Sequence, residues 1–101
     1  MSDGPISVRI DPLLAEIVPK FLERCRQTAA DVQDAVRSGD FTAARRLGHA
    51  LHGTASSFGF DEMAELGKAI EGAAKSSDAG ALRDLAGRLG THVARVRPVF
   101  D

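Results

Sequence analysis

His49-Ala50-Leu51-His52-Gly53-Thr54-Ala55-Ser56-Ser57-Phe58-Gly59 reads as most of one amphipathic helix. Apolar side chains recur at Phe41, Ala44, Leu47, Leu51, Ala55 and Phe58, in steps of three and four that fit one face of a helix and no strand. At about 100° per residue, His49 lies roughly 200° from both Leu47 and Leu51, so it points away from the stripe and into water. Ser56 then falls about 20° from His49, Arg45 and Gly53 about 40°, and His52 and Arg46 about 60°. One solvent face carries two imidazoles, two guanidiniums, a hydroxyl and bare backbone. Glycine inside a helix costs about 1 kcal/mol relative to alanine, and close approach of a large partner or a phosphoryl group is a reason for Gly53 to be there.

Upstream, Ser38-Gly39-Asp40 supplies a helix stop and a new cap. Before it, Leu14, Ile17, Val18, Phe21, Cys25, Ala29, Val32 and Val36 keep the same spacing and predict a long helix with one buried stripe. Pro19 interrupts it, so a short helix opening at Asp11-Pro12 and reaching about Ile17 is expected to kink or restart there. Residues 1–10, with Ile6, Val8 and Ile10 alternating, read as an extended arm lying along the remainder, residues 11–101.

Downstream, Gly59 ends the His49 helix, Phe60 is the apolar contact beyond it, and Asp61 is the expected cap of the next helix. Met63, Leu66, Ile70 and Ala73 or Ala74 form that helix's stripe to about Lys75, with Gly67 and Gly72 weakening it or permitting close packing. After Ser76-Ser77-Asp78, Leu82, Leu85, Leu89, Val93 and Val96 mark a last helix ended near Arg97 by Pro98. His92 reads as a boundary residue beside that stripe, and Cys25 as a buried, inert thiol. The predicted fold is all-α: an antiparallel up-down-up-down four-helix bundle with a short extra N-terminal helix.

The 101 residues make one small domain without room for a large internal cavity. A net charge of -1, with no Trp or Tyr, gives neither the basic field nor the stacking surface of a nucleic-acid binder. One cysteine precludes an internal disulfide, and no apolar run approaches the roughly 18 to 20 residues of a membrane span. A monomer in the cytoplasm is expected, with no membrane attachment.

Hydrolase chemistry needs a base oriented by a third group and donors for an oxyanion. Ser56 and Ser57 near His49 do not make such a set on a convex surface. His49 and His52, three apart, could share a metal ion, but two ligands are too few and Arg45 and Arg46 oppose a cation. An exposed imidazole among cations can instead accept a phosphoryl group. An unperturbed pKa of about 6.5 leaves much of a histidine population neutral near pH 7, with a lone pair free to attack phosphorus. The partner can supply the metal and the in-line geometry. A plain solvated face with incidental histidines fits the spacing as well.

The pattern His49-x-Leu51-x-Gly53, then five residues and Gly59, resembles the histidine phosphotransfer (HPt) domains of multistep phosphorelays. The stretches Ile17-Val18-Pro19-Lys20-Phe21-Leu22, Ser38-Gly39-Asp40-Phe41 and Leu66-Gly67-Lys68-Ala69-Ile70-Glu71 extend the resemblance over roughly residues 10 to 96. It implies that His49 is phosphorylated, that Gly53 is the gap admitting the partner and that Gly59 is the turn after the helix; Arg45, Arg46, His52 and Ser56, on the face that carries His49, are expected to line the contact as the phosphoryl environment. It further implies a phosphocarrier that is no enzyme by itself and binds no cofactor. Its partners would be a response-regulator receiver domain, which holds Mg²⁺ beside its aspartate, and an upstream sensor histidine kinase. The family usually has lysine where this chain has His52, so a charge that is fixed in relatives is titratable here. A helical adaptor that carries no phosphate, and a metal-binding bundle using His49 and His52, are the alternatives.

Overall fold

Four segments that each carry an apolar stripe become four helices: α1 Val18–Ser38, α2 Phe41–Phe58, α3 Asp61–Lys75 and α4 Ala79–Arg95. The computed structural model describes residues 4–101, so the first three residues of the expected arm lie outside it. Packing runs round a ring, α1 on α2, α2 on α3, α3 on α4 and α4 back on α1. Phe21, Cys25 and Val32 of α1, Leu51 and Ala55 of α2, Met63 and Ile70 of α3, and Leu82, Leu89 and Val93 of α4 fill the centre. Phe21 sits between Phe58 and Phe60, edge-on to the first at 5.0 Å between ring centroids and 5.4 Å from the second.

The connections follow from their residues. Gly39 and Gly59 close α1 and α2 at φ +71° and +89°, the left-handed region that side chains disfavour. Beyond α2, the Phe60 N–H reaches the Ala55 carbonyl at 2.9 Å while the Phe60 ring is buried. Asp40 and Asp78 cap α2 and α4 through bonds of 3.0 Å from the N–H groups of Ala43 and Ala81. The expected cap at Asp61 is displaced: Phe60 holds the cap position without a side-chain bond, and Asp61 and Glu62 lie in the first turn of α3. Burial of Phe60 fixes where the helix begins, and both carboxylates still meet the positive end of its dipole.

Both chain ends depart from the sequence reading. The extra N-terminal helix is a single 3-10 turn, Pro12–Leu14, capped by Asp11. Pro19, near the start of α1, has no N–H for the Ala15 carbonyl, and so short a segment cannot offset helix nucleation. Ile17, assigned to the buried stripe, is 45% exposed. The extended arm has a partner that the reading did not name: Ile6–Ile10 is strand β1, paired in parallel with β2, Val96–Phe100, from Ile6 opposite Val96 to Ile10 opposite Phe100. α4 accordingly stops at Arg95, two residues before the expected end, because Pro98 disfavours helix at Arg97 and the β-branched flanks pair instead. Among the described residues no helix is long and apolar enough to cross a membrane.

Candidate functional site

The site begins with a seam. A Cβ added at Gly48 would lie 2.6 Å from the Glu71 nitrogen and 2.8 Å from the Gly67 carbonyl oxygen. One added at Gly67 would lie 2.6 Å from the His52 nitrogen and 2.9 Å from the Gly48 carbonyl oxygen. Backbone therefore touches backbone where α2 meets α3, and only glycine fits at either place. Moving along α2 from Gly48 to His52, the contacts on α3 step back from Glu71 to Ala64.

That approach puts Glu71 beside His49. The His49 Nδ1–H donates to Glu71 Oε2 at 3.1 Å, with His49 75% exposed and Glu71 only 18% exposed. A carboxylate can only accept, so the proton sits on Nδ1 and the lone pair of the neutral ring is on Nε2. The glutamate is held by the seam at its own backbone, which makes it a fixed support for a solvent-facing ring. Around Gly53, one turn on, no atom of the described residues beyond its immediate neighbours and its own helix backbone stands within 4 Å of where a Cβ would be.

The other expected residues divide. Ser56 is exposed, as are Arg45 and Arg46, and neither arginine makes an ion pair among the described residues. Arg46 borders a groove between α1 and α2 together with Asp31, Asp34 and Leu47, so it faces away from α3. His52 departs from the sequence reading. Instead of standing free on the solvent face it is half-buried, its Nδ1–H donating to the Ala64 carbonyl at 3.0 Å. Gly67 lets the two backbones close until that carbonyl is within reach. Ser57 is tied to its own helix through the Gly53 carbonyl at 3.0 Å.

Two groups outside this face, Cys25 and His92, have shifted pKa values. Burial pushes the Cys25 thiol up to about 12, with the Arg26 charge pulling weakly the other way. His92 is not at the stripe's boundary but buried, 7% exposed, with its Nδ1 3.0 Å from Glu62 Oε2. Burial lowers its pKa, the Glu62 carboxylate opposes that shift, and the Arg95 charge adds to it.

A model of the Hpt domain family matches residues 16–98, which takes in all four helices. The chain belongs to the Hpt domain family. Among curated proteins and among solved structures, nothing matches it. Hpt domains perform histidine phosphotransfer in two-component phosphorelays, as phosphocarriers rather than classical enzymes, in contact with receiver domains and kinases. Sequence reasoning missed two features of this Hpt domain: Gly48, hidden in the apolar register of α2, and Glu71. The signal for Glu71 was its place one residue after Ile70, on the edge of the α3 stripe, but nothing local said which helix that edge would meet.

Proposed function

We propose that this Hpt domain takes a phosphoryl group onto Nε2 of His49 from a phospho-aspartyl receiver or a histidine kinase, and passes it to the aspartate of another receiver. The observation that carries the reading is the hydrogen bond from His49 Nδ1 to Glu71, which leaves Nε2 as the unprotonated, outward atom. When Nε2 bonds to phosphorus the ring becomes cationic. The Glu71 carboxylate opposes that charge from a position that requires no reorganisation. The space above Gly53 admits the partner, whose receiver contributes the Mg²⁺; Arg45, His52 and Ser56 border the contact, and Arg46, turned toward α1, stands outside it. Such encounters are modest in area and short-lived. We place the protein in the cytoplasm as a monomer, with residues 11–101 forming one bundle whose helices run up and down in turn.

The test is incubation with a phosphorylated receiver domain and detection of acid-labile, base-stable phosphate. Wild type should accept it and His49→Gln should not. Phosphate retained by His49→Gln but lost in His52→Gln would move the assignment to His52. Phosphate on neither wild type nor variants would leave the adaptor reading.

A further inference from the structure

We propose that Lys68 of α3 supplies the fixed positive charge for a phosphoryl group on His49, a role the chain does not give to position 52. The inference rests on the reading of His49 as the phosphoacceptor. A phosphoryl group brings roughly 1.5 to 2 negative charges near neutral pH. The cationic side chains available to it are Arg45, Arg46 and His52 on α2 and Lys68 and Lys75 on α3. His52 is drawn back toward α3 by its bond to the Ala64 carbonyl. Arg46 turns toward the acidic side chains of α1, and Arg45 lies one turn before His49 on α2, on the side away from Gly53. Lys75 stands in the last turn of α3, beyond Glu71 from the open space at Gly53.

Lys68 is placed differently. It lies three residues before Glu71, so the two are neighbours on one helix face, and Glu71 touches His49. It directly follows Gly67, whose missing side chain brings that part of α3 against the backbone of His52. A lysine at 68 therefore starts from the level of position 52 but from the α3 side of the seam. Its side chain is exposed, with no ion-pair partner among the described residues. An ammonium on a flexible four-carbon stem can follow a group that appears only when the ring is loaded.

The experiment loads the whole chain with phosphoramidate, a donor that needs no protein partner. The Nε2 lone pair forms a bond to phosphorus as the donor's P–N bond breaks, and the already protonated donor nitrogen leaves as ammonia. The Nδ1 proton stays on its bond to Glu71. Phosphorus NMR then follows the loading rate in wild type, K68Q, K68R, K75Q, H49Q and the double variant H52K/K68Q. K68Q should load slower by a factor of about five, the upper range for an exposed charge pair. K68R and K75Q should stay within about twofold of wild type, and adding H52K to K68Q should restore the rate. Recovery by arginine and by a lysine across the seam would not follow from a merely structural role. K68Q loading like wild type, or K75Q slowing as much as K68Q, overturns the assignment. H49Q reports separately on the carrier reading: phosphate on H49Q, or none on wild type, sinks that reading and this one with it.

Discussion

Gly48 of α2 and Gly67 of α3 face each other with no room for a side chain on either. A Cβ on the first would meet the carbonyl oxygen of the second at 2.8 Å, and the reverse contact is 2.9 Å. Because backbone atoms cannot swing aside, Gly48→Ala or Gly67→Ala must push the helices apart. Overpacking costs about 1–3 kcal/mol, against up to about 1 kcal/mol returned by alanine's better helix propensity. A net loss near 1–2 kcal/mol should lower the melting temperature by roughly 5–15 °C in a domain of this size. Thermal unfolding by circular dichroism measures it, and a melt unchanged or raised in both variants would contradict the seam.

Gly53 should behave in the opposite way, since open space surrounds it. Gly53→Gln exchanges the poorest helix former after proline for a good one and should stabilise the fold by about 0.5 kcal/mol. The same side chain fills the gap beside His49. Transfer from a phosphorylated receiver should slow by about tenfold or more, about 1.4 kcal/mol in the barrier, while chemical loading by phosphoramidate stays near the wild-type rate. Equal slowing with both donors would mean that Gly53 serves the chemistry rather than the docking.

Glu71 offers a finer dissection. Glu71→Gln keeps an acceptor for the His49 Nδ1–H but removes the charge, whereas Glu71→Ala removes both. If the carboxylate steadies the cationic ring, loading should fall in the order wild type, Gln, Ala, with Ala down by about tenfold or more, about 1.4 kcal/mol. Both variants should fold normally, because the Glu71 backbone rather than its carboxylate lies in the seam. Alanine loading as fast as wild type would remove Glu71 from the mechanism.

Much of this was legible beforehand because helices announce themselves locally. The three-four spacing of Leu47, Leu51 and Ala55, the stops at Gly39 and Gly59 and the caps at Asp40 and Asp78 all depend on residues within one or two turns. His49 pointing to solvent followed from the same periodicity. What escaped depends on partners far along the chain. Ile6–Ile10 pairs with a segment some ninety residues later, and an alternating run cannot name its partner. The inward turn of His52 needs the Ala64 carbonyl, and that proximity needs two glycines on different helices. His92 was misplaced because its periodicity put it beside the stripe, whereas the depth of burial there depends on how α3 covers α4.

The strand pair should matter to stability, not only to appearance. Ile10 is 3% exposed, and its Cδ1 comes within 3.8 Å of where a Cβ on Gly59 would stand, so β1 closes the bundle at the end of α2. Ile10→Ala should cost about 2–4 kcal/mol through lost burial and the cavity left behind. Urea unfolding gives the value directly. A cost below about 0.5 kcal/mol, the ordinary range for a surface change, would show that the pair is an ornament on an independently stable bundle.

His92 predicts a pH dependence of folding. Burial holds its pKa below the ordinary value, so the folded protein keeps the ring neutral where the unfolded chain would protonate it. Between the unfolded value of about 6.5 and the lower folded one, the unfolded state binds more protons, and stability rises with pH. Its contribution is fully present above about pH 6.5 and is lost as pH falls toward the folded value. The Glu62 carboxylate, 3.0 Å from Nδ1, moderates the loss, and the Arg95 charge sharpens it. Urea unfolding at pH 7.5, 6.5 and 5.5 should therefore show wild type losing more stability over this range than His92→Gln, whose side chain does not titrate. The comparison cancels the two histidines common to both proteins, His49 and His52, and the upper part of the window avoids most carboxylate titration. Parallel profiles for the two proteins would mean that the ring is accessible enough to protonate in place, and that the closure of α3 over α4 is looser than the packing around His92 requires.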